Sequence, residues 1–138
     1  MTVHLVKLCV GADEIEDLRI WQNHLMKTAP RPYHHTRMVP KRAEELLDNG
    51  SLYWVIRGLI QVRQRILSVE SFTDRSGRRA CEITLDPEIV MVEPVPKRAF
   101  QGWRYLRVED APADLGNGPS GEDLPAAIRV QLKQALVW

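Results

Sequence analysis

Leu52-Tyr-Trp-Val-Ile-Arg-Gly-Leu-Ile-Gln-Val-Arg-Gln-Arg-Ile-Leu67 is the stretch on which the reading of this chain turns. Leu52, Trp54, Ile56, Ile60, Val62 and Ile66 give it the period-two apolar pattern of core strands, yet Arg57, Arg63 and Arg65 stand among them. Such a segment can bury one side of itself and present guanidinium groups from another. Gly58 divides it into two strand-like pieces and predicts a bulge or close backbone approach, with a bent strand as the consequence.

Working upstream, Pro40 to Gly50 reads as a short helix with proline in its first turn and glycine just past its end. Before it, Ala29 to Pro40 holds three prolines and can only be a loop or short strand. Adjacent His34 and His35 point apart in an extended chain, so they make a poor pair of metal ligands, and no metal or cofactor is expected. Ile15, Leu18, Trp21 or Gln22, and Leu25 recur at helical spacing, which predicts a helix from about Asp13 to Met26 with Trp21 in the core. Residues 3 to 10 alternate like a central strand.

Downstream, Thr73 to Arg78 has the Asp and Gly of a hairpin loop, and Arg79 to Leu85 returns as the partner strand. Glu88 to Glu93 predicts another strand, ended by Pro94 and Pro96. Lys97-Arg-Ala-Phe-Gln-Gly-Trp-Arg-Tyr105 then interleaves bases with aromatics, and Trp103, Tyr105 and Arg107 share strand parity. Glu109 to Asp123 reads as a flexible acidic connection. Beyond it, Leu124, Ile128, Leu132 and Leu136 form an apolar stripe on a final helix.

A chain of 138 residues fits a single domain, residues 1–138, with one core and no need of a disulfide or metal. The predicted class is α+β: a curved, mainly antiparallel sheet or small β-barrel flanked by three helices. The start lacks the basic region and long apolar run of a secretory signal, and no segment has the length of a membrane span. A cytoplasmic location follows as the expectation, with Cys9 and Cys81 as buried free thiols. The net charge of +1 is unevenly spread: Arg19 to Arg107 holds 16 of the 19 bases but 9 of the 18 acids, a net of +7. Such segregation steers an anionic partner toward one face.

Several stretches carry a family resemblance: Leu5-Val-Lys-Leu-Cys-Val-Gly11, Arg42-Ala-Glu-Glu-Leu-Leu47, Ser51-Leu-Tyr-Trp-Val-Ile-Arg-Gly58, Arg63-Gln-Arg-Ile-Leu67 and Phe100-Gln-Gly-Trp-Arg-Tyr-Leu106. Together they resemble an uncharacterised bacterial family, best known from alphaproteobacteria and catalogued as domain of unknown function 1489. The likeness runs from residue 3 to about residue 115. More loosely, the element order resembles the PUA-like superfamily, whose ASCH and EVE members have small β-barrels flanked by helices. That resemblance implies a link to RNA, modified bases or small amide hydrolysis. The Lys/Thr/Glu pattern of catalytic ASCH hydrolases is not recognisable, so the reading leans against an enzyme.

The leading functional expectation is a module that binds RNA, single-stranded DNA or a modified nucleotide. Its arginine-rich, aromatic-lined groove would use Tyr53, Arg57, Arg63, Arg65, Trp103, Arg104 and Tyr105. Arginine forks pair with phosphates and exposed aromatic rings stack on bases. One alternative is a hydrolase acting on a small anionic substrate, with Glu44, Glu45, Glu70 and His35 as acid/base candidates. No nucleophile motif supports it. A protein-interaction adaptor, docking through the final helix and Trp138, is the other.

Overall fold

Arg57 and Gly58 form a hairpin turn rather than a bend within one strand. In a computed structural model, which describes residues 1–98 and 100–115, both have positive φ, +56° and +74°. That pair of angles is what a two-residue turn of the primed type demands, because its twist matches that of the flanking strands. The stretch that decides the reading is therefore two strands, β3 (Ser51–Ile56) and β4 (Leu59–Thr73), paired antiparallel from Ser51↔Arg65 to Ile56↔Leu59.

Around that hairpin the other elements follow in chain order: β1 (Val3–Leu8), α1 (Ile15–Leu25), β2 (Tyr33–Thr36) and α2 (Ala43–Leu47) before it, then β5 (Arg79–Leu85), β6 (Val90–Pro96) and β7 (Trp103–Arg107) after it. The strands line up as β2-β5-β4-β3-β1-β7, with β6 also on β4. Among the described residues only the β1–β3 pair is parallel. Besides β3, the long β4 carries two partners in succession, β6 along residues 59–63 and β5 along residues 66–73, with register shifts in both pairings. Such shifts raise local twist and curve the sheet. β2 and β7 end the path without pairing to each other, so the sheet stays open. Among the described residues the closed barrel that the PUA-like resemblance implied is not formed.

Two cores lie on the two faces. On the first, Leu5 of β1, Leu52, Trp54 and Ile56 of β3, and Val62 of β4 pack against Ile15 and Leu18 of α1 and Leu46 of α2. On the second, Val6, Tyr53, Val55, Ile60, Val92 and Leu106 pack with Phe100 and Ala111. All six residues of β3 are consequently buried, because side chains of alternate parity meet one core or the other. Cys9 and Cys81 are buried free thiols, and burial pushes the Cys9 thiol up to about 11. No helix among the described residues is long and apolar enough to cross a membrane.

Three local expectations need correction. Trp21 is half-exposed and Gln22 takes the buried position, because Ile15, Leu18 and Gln22 follow the helical repeat while Trp21 falls short of it. β6 runs through Pro94 and Pro96 rather than ending before them, as a strand can where proline's missing N–H is not needed for the ladder. The acidic connection is, over its described part, tied to the sheet. After a short 3-10 turn at Val108–Asp110, Ala113 O accepts the Glu93 N–H at 2.8 Å and Leu115 donates to Met91 O at 2.7 Å. The rest of that connection and the expected helix from Asp123 to Leu136 lie outside the described residues.

Candidate functional site

Side-chain parity decides where the expected groove residues go, and it separates them. On β7, Trp103 and Tyr105 point to the first face and Arg104 to the second, since successive strand residues alternate. Trp103 is buried in the first core, donates its indole N–H to Met38 O at 3.0 Å and meets the Tyr105 ring edge-on at 4.9 Å. Tyr105 accepts the Arg42 backbone N–H at 3.1 Å, with the Arg42 guanidinium over its ring. These two aromatics fasten the segment before α2 to the sheet edge. They do not face Arg63, so the single groove lined by all seven residues does not form.

The second face instead gathers unpaired cations among the described residues. Arg104 and Lys97 flank the Phe100 ring on this face, and Arg57 and Arg98 lie at the hairpin tip next to Lys97. Lys97 donates its backbone N–H to Gly58 O at 2.9 Å, which sets Lys97 and Arg98 beside the hairpin tip. The Lys97 ammonium and the Arg104 guanidinium lie 6.0 and 5.4 Å from the centre of the Phe100 ring. Arg57, Arg98 and Arg104 are exposed, while Lys97 and Phe100 are half-buried. None of the four cations is ion-paired among the described residues, whereas Arg37, Arg42, Arg63 and Arg107 are. Unneutralised cations around an aromatic ring are costly to gather by chance, because like charges repel.

Across two intervening strands of the same face, in register with Arg104 through Val6 and Tyr53, Arg63 is already satisfied. Its Nε and Nη2 donate to the two carboxylate oxygens of Asp114 at 2.7 and 2.6 Å, and its Nη1 donates to Ser51 Oγ at 3.0 Å. The Arg63 guanidinium holds the Asp114 carboxyl below its ordinary range, and the bond raises Arg63 in turn. Ser51 N–H donates to His4 Nδ1 at 3.0 Å, and the His4 and Tyr53 rings meet edge-on at 5.1 Å. Burial, and then Arg63, lowers the His4 pKa; burial raises that of the Tyr53 hydroxyl. Arg65 is exposed and bonds the Asn49 side chain.

Sequence reasoning missed His4, Ser51 and Asp114. Nothing local marks them, because the contacts span 47 and 51 residues of chain. The hydrolase candidates are dispersed: Glu45 pairs with Arg42, and His35 Nε2 meets Glu82 at 2.9 Å. A groove of about 310 Å³ lies between α1 and the loop before β6, bordered by Arg19, Gln22, Asn23, Met26, Glu88 and Ile89, and it contains none of the expected residues.

A protein-family model described as "Protein of unknown function (DUF1489)" matches residues 5–138. No curated protein and no solved structure matches the chain.

Proposed function

Since the chain belongs to the DUF1489 family, whose function is unknown, its own surface has to supply the reading, and we propose that it binds single-stranded nucleic acid through the cationic end of its second face. The observation that carries this is the Phe100 ring flanked by Lys97 and Arg104, with Arg57 and Arg98 at the neighbouring hairpin tip, all four without carboxylate partners among the described residues. Arginine forks and a lysine would hold successive phosphates, and Phe100 would offer a face to an unpaired base. The net of +7 between Arg19 and Arg107 adds long-range attraction to the same class of partner. Modified nucleotides are accommodated by the same chemistry, since every base has a π-face.

Fluorescence anisotropy with labelled single-stranded RNA and DNA at low ionic strength tests the proposal. Each phosphate contact on a single strand contributes a salt slope of about −0.7, so three or four contacts predict a slope of about −2 to −3. Phe100→Ala should weaken binding by about 1–3 kcal/mol, the usual worth of one stacked base. Absence of binding at low salt, or binding indifferent to salt, overturns the reading.

A further inference from the structure

The segment after β7 crosses the whole second face. It leaves β7 at one edge of the sheet and reaches β6, which lies beyond β1, β3 and β4. There Asp114 forms an isolated antiparallel bridge to Val92, flanked by the two backbone hydrogen bonds to Glu93 and Met91. The strap is acidic, with Glu109, Asp110 and Asp114, and over its described residues it is lightly anchored: Ala111 packs on the core beneath, while Val108 and Leu115 are exposed. Its strongest attachment is the two-pronged bond from Arg63 to Asp114, at 24% and 18% side-chain exposure.

We propose that Asp114 is an intramolecular ligand standing in for a phosphate: the strap closes an anion site made by Arg63 and Ser51, and a phosphodiester of the bound strand takes its place. The inference rests on the nucleic-acid reading above and extends it along the same face. A phosphate presents two oxygens to an arginine fork as a carboxylate does, so Arg63 Nε and Nη2 can exchange one for the other without moving. Ser51 Oγ already accepts from Arg63 Nη1, which leaves its own O–H free to donate to the anion. A strand lying on Phe100 and Arg104 would extend toward Arg63, because all three are on the second face. The acidic strap then sets a threshold: weak or short anions lose to a carboxylate held at high local concentration, and a polyanion that engages the cationic end wins.

Oligonucleotide binding by D114N decides the matter. Loss of the internal competitor should tighten binding about tenfold, the worth of one charge-assisted contact set free, and steepen the salt slope by about 0.7. D110N removes the same charge from the strap, but at a residue paired with Arg107 rather than Arg63. It should leave affinity within about twofold, as expected for a screened surface charge. The double variant R63Q/D114N should lose the gain. Equal gains from D114N and D110N, or a gain that survives R63Q, overturn the proposal and leave the cationic end standing. No binding by the wild type or by D114N overturns the nucleic-acid reading itself. A readout free of any variant is hydrogen exchange of the Leu115 and Glu93 amides, which hold the strap to β6. Saturating oligonucleotide should speed both, and unchanged protection would show that the strap stays in place.

Discussion

Gln22 of α1 and Gln64 of β4 meet amide to amide beneath the helix, each donating Nε2–H to the other's Oε1, at 2.7 and 2.6 Å. Both side chains are buried, and Gln64 also accepts the Trp54 indole N–H at 2.9 Å and donates to Asp86 O at 3.0 Å. One amide thus ties α1, β3, β4 and the turn after β5 together. Gln64→Leu strands the Gln22 amide and the Trp54 donor in the core, at about 1–3 kcal/mol for each unsatisfied group. Urea melts should show a loss of about 3 kcal/mol. Q22L/Q64L removes both amides at once, and should be less destabilised than the sum of the single changes by about 1 kcal/mol or more.

Gly50 is fixed by space rather than by dihedral angle. A Cβ there would stand 2.3 Å from Leu46 O and 2.5 Å from Val3 O, both rigid backbone atoms. The same residue donates to Leu46 O at 2.9 Å and accepts from Ile66 at 3.0 Å, so it cannot retreat without breaking the junction of α2 with β3 and β4. Gly50→Ala should cost about 3 kcal/mol or more, in the range reserved for core overpacking and broken backbone networks. A thermal midpoint within a degree of wild type would contradict this.

The sheet was legible because burial writes itself into strand periodicity: the alternation around Leu52 to Ile56 and Val62 to Ile66 marks real strands. Gly50 and Gly58 punctuate as glycine should, but whether Gly58 bends a strand or turns a hairpin depends on the φ of its neighbour Arg57, a residue type that seldom adopts +56°. The candidate site was legible only in part. Arg104 meets Lys97 at the Phe100 ring, and Lys97 in turn bonds the hairpin turn that holds Arg57, because the loop before β7 returns to that turn. Trp103 and Tyr105 are drawn away because a one-residue step on β7 reverses the face. Asp114 was hidden for a different reason: a carboxylate in an acidic, glycine- and proline-rich stretch looks solvated until the fold lays it over Arg63.

His34 gives the fold an acid-sensitive joint between α1 and the sheet. Its ring lies edge-on to Trp21 and Trp54, at 6.0 and 5.3 Å, and its Nε2 is buried without a hydrogen-bond partner among the described residues. Burial first, then the charges of Lys7 and His35, lowers its pKa to about 4. The unfolded chain takes up a proton near the ordinary histidine value of about 6.5, while the folded protein resists until about pH 4. The contribution to stability is therefore whole above pH 6.5 and drains away as pH falls toward 4, a loss on the order of 2–3 kcal/mol. His34→Phe should keep the aromatic packing and flatten that part of the curve. A wild-type slope retained between pH 6.5 and 4 in this variant would assign it to other groups.

Arg57 holds a backbone conformation that disfavours it. At φ +56°, next to Gly58 at +74°, the turn asks for the Asn-Gly pair that such hairpins prefer. A side chain with a Cβ pays about 1–2 kcal/mol in the left-handed region, and asparagine recovers part of that through local hydrogen bonding. Arg57→Asn should therefore raise stability by about 0.5–1 kcal/mol. If the exposed guanidinium contacts a phosphate, the same change should reduce the oligonucleotide salt slope by about 0.7 and weaken binding about three- to tenfold. The opposite signs separate the two roles in one variant. Greater stability with undiminished binding would remove Arg57 from the interface and leave Lys97, Arg98 and Arg104 to carry it; lower stability would mean that the turn depends on arginine contacts at the tip.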